Sequence, residues 1–588
     1  MSTEEFAPHV LREYALLADG QRGALIGPRG EISWMCAPNW HDDAVFASLI
    51  GGPGIFAITP SRRFVWGGHY EEGSLIWRSR WVTADGILEC REALSFPASS
   101  DRLVLLRRVE AISGDAEAKL VFSPAAGFGR HGMRDLSRDE HGDWHAQVGD
   151  LAMTLRGASD AEPASGVATP ELRGVIRVPE GGRHDVVLEL RKRSCREQLP
   201  SITELWQETE SRWDATLPSY SDSIAPRDTR HAHAVLRGLT ANSGGMVAAA
   251  TMSMPERANQ GRNYDYRYVW IRDQCYAGQA VAAAGQHELL DGAVAFVAER
   301  VLEDGPELKP AYTIAGGPVP DERSLRLSGY PGGSDIVGNH ANKQFQLDAL
   351  GEALQLFAAA AGHDRLDSHS YSAAVAAVEA ISKRWREPDA GIWELDDKRW
   401  AHSRLSCVAG LNAMATHAVG ADVGKWTELA DTILADAADC VHPTGRWQRA
   451  PDDPRLDAAL LQAGIRGAIP REDPRHLATL AAVRRELADD GFVYRFRHDN
   501  PSRSLGATEG AFALCGFWMA LATHQLGDDV AAARYFERNR TACGPPGLLS
   551  EEFDVEQRQL RGNIPQAFVH ALLIESSVRL AKPPAKSS

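Results

Sequence analysis

From about residue 20 to residue 200, hydrophobic and polar positions alternate in short runs such as SLIWRSRWV, RLVLLRRVEAI, AKLVFS, LAMTLRG and HDVVLELRKR. A period of two sends successive side chains to opposite faces, so each run is predicted to be a strand. Gly51-Gly52-Pro53-Gly54, Gly67-Gly68 and Gly181-Gly182 fall between the runs, where reversals draw on glycine's freedom at positive φ. The pattern predicts an antiparallel β-sandwich. One amphipathic helix is predicted over 201–213, SITELWQETESRW, followed by the Pro/Ser-containing stretch LPSYSDSIAP.

Beyond residue 227 the period becomes helical, in Ala-rich amphipathic segments separated by Gly/Pro loops. Helices are predicted over 228–241, 274–303, 339–361, 369–386, 403–419, 424–440, 454–466, 474–489, 508–526, 529–541 and 563–581. A closed toroid of six helical hairpins holds about twelve, whereas an open solenoid needs a recurrent sequence period, and none is seen. The expected architecture is mainly α: a β-sandwich domain over 1–222 and an (α/α)6 barrel over 223–588.

Composition narrows the partners. A chain of 588 residues is too long for one ordinary core, and 44% hydrophobic with 24% charged residues fits a globular protein. The net charge of -16 argues against nucleic acid or an anionic membrane as partner, since nothing would offset phosphate repulsion. The N-terminus MSTEEFAPHV has neither a basic nor an apolar leader region, and no stretch is apolar enough to span a bilayer, so a cytoplasmic location is expected. The eight cysteines are scattered singly, without CxxC pairs or zinc-ligand spacing, and are expected to be free thiols.

Aromatic, carboxylate and arginine side chains concentrate in loops between the predicted helices. Rings stack on the apolar faces of a pyranose, while carboxylates and guanidinium groups bond its hydroxyls. Four segments stand out. Residues 261–273, GRNYDYRYVWIRD, hold four rings, three arginines and two aspartates just before a helix. Gly391-Ile392-Trp393-Glu394-Leu395 sets a carboxylate beside a tryptophan, and Leu548-Leu549-Ser550-Glu551-Glu552-Phe553-Asp554 sets two after apolar residues. The glycines of 328–339, SGYPGGSDIVGN, have no GK[ST] and no preceding strand, which excludes a phosphate loop.

In this order the segments resemble glycoside hydrolase family 15, which includes glucoamylases, glucodextranases and some bacterial trehalases. The resemblance runs nearly end to end. It begins at Glu13-Tyr14-Ala15-Leu16 and Gly30-Glu31-Ile32-Ser33-Trp34, and continues through Ser253-Met254-Pro255-Glu256 and RNYDYRYVWIRD. GIWE, GFVYRFR, TEGAF, LLSEE and Gly562-Asn563-Ile564-Pro565-Gln566-Ala567-Phe568 complete it. It implies Glu394 as general acid and Glu551 as general base of an inverting hydrolysis that releases glucose from the non-reducing end of α-glucosides. It further implies Tyr266, Trp270, Arg272, Asp273, Tyr330, Trp393, Arg495, Glu509 and Gln566 as substrate-binding residues, and no metal or organic cofactor. Inversion requires two carboxylates about 6.5–9.5 Å apart, so that water fits between base and sugar.

The sequence departs from the family pattern on the substrate side. Tyr264 stands where Trp is usual, 333–339 lacks the arginines of the family's SRPVRIGN run, and His340 and Lys343 replace a small residue and an Asp or Asn. Starch-like α-1,4 oligosaccharides are the first expectation for the substrate, with trehalose or an α-1,6-linked isomaltoside next. A non-catalytic glycan binder and a phosphorylase are rival classes, but neither needs the base Glu551. His340 is expected to face solvent, while the loop Pro38-Asn39-Trp40-His41-Asp42-Asp43 has the aromatic and polar content of a sugar contact.

Overall fold

The computed structural model describes residues 6–164, 170–195, 197–418, 422–498 and 504–583; the first five residues and position 419 of the sequence reading lie outside them. The alternating runs form two antiparallel sheets. One joins Ala15–Ala18, Gly23–Ile26, Glu31–Cys36, Ile55–Pro60, Ala116–Ser123, Leu172–Val178 and Glu162–Pro163 in that order, with Ala44–Phe46 beside Glu31–Cys36. The other orders Ala125–Ala126, His131–Arg138, Trp144–Val148, Leu151–Arg156, Arg183–Lys192, Arg102–Ser113, Ile87–Leu94, Trp77–Thr83 and Phe64–Tyr70. Trp77, Ser79 and Trp81 point inward while Arg78 and Arg80 are half-buried on the other face, as a period of two requires. Phe56 and Phe122 of the first sheet pack edge to face, with ring centroids 5.1 Å apart, in a core shared with Trp81, Leu105 and Leu188 of the second.

The linking helix α1, Ile202–Thr216, starts at a capping box in which Ser201 and Glu204 satisfy each other's backbone N–H. Its Trp206 and Trp213 join a second, larger core that continues from the sheets into the helical part. Among the described residues twelve helices follow: α2 Pro226–Leu239, α3 Ile271–Ala283, α4 Glu288–Asp304, α5 Leu347–Ala361, α6 Ser368–Arg384, α7 Ala401–Ala415, α8 Asp422–Asp436, α9 Gln462–Ile465, α10 Pro474–Glu486, α11 Ala513–Gln525, α12 Asp529–Arg540 and α13 Ala567–Arg579. Helices α3, α5, α7, α9, α11 and α13 pack in that order and close back on α3, with α4, α6, α8, α12 and α2 outside them. This is an (α/α)6 barrel. The inner helices α5 and α7 cross at glycines, where a Cβ on Gly410 would lie 2.4 Å from the Gly351 carbonyl oxygen.

Several predicted boundaries move for local reasons. The 274–303 reading is two helices, because Gly285 takes a positive φ of 69° and bonds back to Ala282, ending α3. The 339–361 reading opens with a 3-10 turn, His340–Lys343, and only Leu347 begins the α-helix. Within 454–466 the chain makes the 3-10 turn Ala458–Leu461 before the one-turn α9. Residues 508–512 are not helical, since Ala511–Phe512 pairs with Glu552–Asp554, which pairs in turn with Gln559–Arg561. All eight cysteines are free, and six of them are buried.

Candidate active site

Residues 262–270 run extended along antiparallel partners, with Ser253, Ala249 and Ala248 donating their backbone N–H groups to the carbonyls of Tyr264, Tyr266 and Tyr268. Extended backbone sorts the side chains. Arg262, Tyr264 and Tyr266 face a cleft of about 700 Å³, while Asp265 and Arg267 point the other way into a buried ion pair of 2.7 Å. Arg267 also donates to the carbonyls of Trp40 and Asp42, at 3.3 and 2.7 Å. The sandwich loop 38–43 therefore braces the back of this segment, and none of its residues lines the cleft.

Glu394 and Glu551 both line that cleft. The Trp270 indole Nε1–H donates to Glu394 Oε1 at 2.6 Å, and the Tyr266 hydroxyl donates to Glu551 Oε1 at 3.1 Å. The two rings meet edge to face at 5.4 Å. Two touching rings thus each fix one carboxylate. Glu394 sits at a φ of 55°, uncommon outside glycine, directly after a turn whose Gly391 leaves no room for a Cβ against Trp400. Glu551 precedes the strand Glu552–Asp554, and its backbone carbonyl accepts from the N–H of Ala513 at the start of α11.

Burial raises Glu551 well above the usual carboxylate range, the negative charge of Glu256 raises it further, and Arg495 and the Tyr266 hydroxyl pull it back only in part. Carboxylate oxygens of Glu256, Glu551 and Glu552 all lie within 4.8 Å of one another. So close a trio retains protons in common, and positive charge comes from Arg262 and Arg495, whose nitrogens lie 3.7 and 3.9 Å from Glu256. A divalent cation would find those guanidinium groups already beside its ligands. Asp273 is raised to about 6 by burial, against the opposing pull of Arg272.

The other expected residues divide into wall and support. Arg272, Trp393 and Arg495 line the cleft. Arg272 donates to the Ile392 carbonyl at 2.7 Å and lies 4.0 Å from Glu394, tying the Glu394 loop to α3. Trp393 donates to Asp457 at 2.9 Å, and the Arg495 guanidinium lies over the Trp393 ring at 5.2 Å. Trp270 and Asp273 are buried behind the wall, each bonded to a residue that faces the cleft. Glu509 does not line the cleft. It is fully buried, and although burial alone would raise it, Arg495 and His498 take it down to about 2, so its role is to anchor Arg495 and Arg262. Gln566 is buried at the N-terminus of α13 and bonds the Leu549 carbonyl through its backbone N–H. Tyr330 is drawn away from the cleft, since its hydroxyl donates to the His9 carbonyl of the sandwich domain at 2.7 Å.

Sequence reasoning did not find Glu256, Arg262, Tyr276, Phe512, Leu514 and Phe568 as lining residues. For Glu256 a signal existed in Ser253-Met254-Pro255-Glu256, but the Glu551 it faces is almost 300 positions away. His340, expected to face solvent, lines the cleft at the C-terminal side of the glycine loop.

Two carboxylates held separately in one cleft, with stacked rings and buried guanidinium groups around them, suit the cleavage of an acetal between sugars, and the class of protein so defined is an O-glycosyl hydrolase. The chain belongs to glycosyl hydrolases family 15, whose model matches residues 231–578. A model described as trehalase-like, N-terminal, matches residues 4–210. The chain is 29% identical to a trehalase of Mycobacterium tuberculosis over 97% of its own length and 90% of the relative's. It is 26% identical to an isomaltose glucohydrolase of Kribbella flavida over 62% of this chain and 89% of that one. In fold it is similar to a bacterial glucoamylase complexed with acarbose, with a TM-score of 0.67 and 15% identity, covering 98% of this chain and 97% of the other.

Proposed function

We propose that this enzyme hydrolyses α,α-trehalose with inversion, Glu394 protonating the glycosidic oxygen and Glu551 activating water. The observation that carries the reading is the pair Tyr266–Trp270, which holds Glu551 and Glu394 as separate groups facing one cleft. Arg272, Trp393 and Arg495 grip the glucose that is attacked. Trehalose is preferred to an α-1,4 oligosaccharide because the relatives that match over both domains at 26–29% identity are trehalases, whereas the glucoamylase that shares the two-domain fold is 15% identical.

The test separates acid from base. Glu394→Gln should lower kcat/KM on trehalose by about 10²–10⁴-fold. The same variant should retain most of its rate on α-D-glucosyl fluoride, whose leaving group needs no proton. Glu551→Gln should lose both activities by a similar factor, because water is no longer activated in either case. Loss of fluoride hydrolysis in Glu394→Gln, or its survival in Glu551→Gln, contradicts the assignment. Wild-type turnover of maltose or isomaltose above trehalose contradicts the substrate.

A further inference from the structure

Four rings stand in series from behind the wall of the cleft out along it. Beyond the Trp270–Tyr266 contact, Tyr266 lies parallel to Tyr264 with centroids 6.2 Å apart, and Tyr264 meets His340 at 5.9 Å. Exposure rises along the row, from Trp270, which is buried, through the half-buried tyrosines to a His340 side chain 42% exposed. The inner two rings hold the catalytic carboxylates, so the bond that breaks lies against them. The outer two carry the row on toward solvent.

His340 is held for such a contact. Its Nδ1 lies 2.8 Å from Glu322 Oε1, and its backbone N–H reaches the same oxygen at 3.4 Å. With Nδ1 turned to that carboxylate, Nε2 is the ring nitrogen left to meet a ligand. Among the described residues no group is recorded bonding Nε2, although the side chain lines the cleft. The Tyr264 ring beside it offers a flat apolar face to the C–H face of a pyranose. The glycine loop 328–339 that precedes His340 contains no lysine or arginine, so it brings no cation to this side of the cleft.

We infer that Tyr264 and the Glu322–His340 pair recognise the leaving sugar, with His340 Nε2 hydrogen-bonding one of its hydroxyls. The inference rests on the reading of the cleft as a site that splits a glucose disaccharide. Glu322 acts through His340 and is a positioning residue.

The experiment compares substrates with and without a leaving sugar on the purified full chain. His340→Ala should lower kcat/KM on trehalose about tenfold, the value of one hydrogen bond to a buried hydroxyl. The loss should be confined to substrates that carry a leaving sugar, so α-D-glucosyl fluoride is turned over as by the parent. Glu322→Ala should show the same split, and Glu322→Gln, which keeps an acceptor for Nδ1–H, should restore most of the trehalose rate. An equal loss on both substrates, or no loss on trehalose, overturns the inference. If the parent cleaves maltose or isomaltose in place of trehalose, the substrate reading has failed separately. The same comparison made with that disaccharide then decides the role of His340.

Discussion

As the proposed base, Glu551 must lose a proton before it can act, in surroundings that resist the loss. Burial and the neighbouring Glu256 hold its proton on, so activity falls as pH drops through a value above the usual carboxylate range. Removing the negative charge of Glu256 makes ionisation easier and shifts that acid limb downward. Glu256→Gln should therefore move the acid limb of the kcat/KM profile to lower pH by about one unit. An unmoved limb would show that Glu256 is already uncharged while Glu551 titrates. At this scale the sequence was most legible where local order is enough, since GIWE and LLSEE each bring a carboxylate to the cleft. It was least legible where partners meet across the chain. Glu509 looked like a sugar contact by its motif but spends its carboxylate on Arg495 and Arg262, and Tyr330 is turned toward His9.

The elements that place these residues are the inner helices and the short ribbons at their ends. Helices α5 and α7 flank the Glu394 loop and approach so closely at Gly351 and Gly410 that a methyl group has no space. Gly410→Ala should cost about 1–3 kcal/mol through overpacking, seen as a lowered Tm. Gly424→Ala in α8, where a Cβ meets nothing within 4 Å, should be neutral or slightly stabilising through helix propensity. Equal Tm values for the two variants would contradict the close-packed crossing. The helical period was enough to reveal a barrel, because amphipathic faces repeat every turn. The Ala511–Phe512, Glu552–Asp554 and Gln559–Arg561 ribbon was not legible, since strands of two or three residues carry no period and are made by tertiary pairing.

Across the whole molecule the sandwich and barrel share a hydrophobic core, so the sandwich is part of how the cleft is built. Arg267 is the most concentrated point of that dependence. It pairs with buried Asp265 beneath the Tyr266 segment and reaches the sandwich backbone at Trp40 and Asp42. Arg267→Ala leaves Asp265 buried and unpaired, at a cost of about 3–5 kcal/mol, and loosens the segment that carries Tyr266. Both Tm and kcat on trehalose should fall, and an unchanged Tm would show that the sandwich braces nothing. The loop 38–43 looked like a sugar contact because its composition suits one. Composition does not say which face a loop presents, and here it presents backbone carbonyls to an arginine.

The central claim is inversion by Glu394 and Glu551 on a bond joining two α-configured glucoses. Proton NMR of a fresh trehalose digest reads it before mutarotation blurs the products. One glucose should appear as the β anomer, from the attacked sugar, and one as the α anomer, from the leaving sugar, in equal amounts. Two equivalents of α-glucose, or glucose 1-phosphate when phosphate is present, would contradict it.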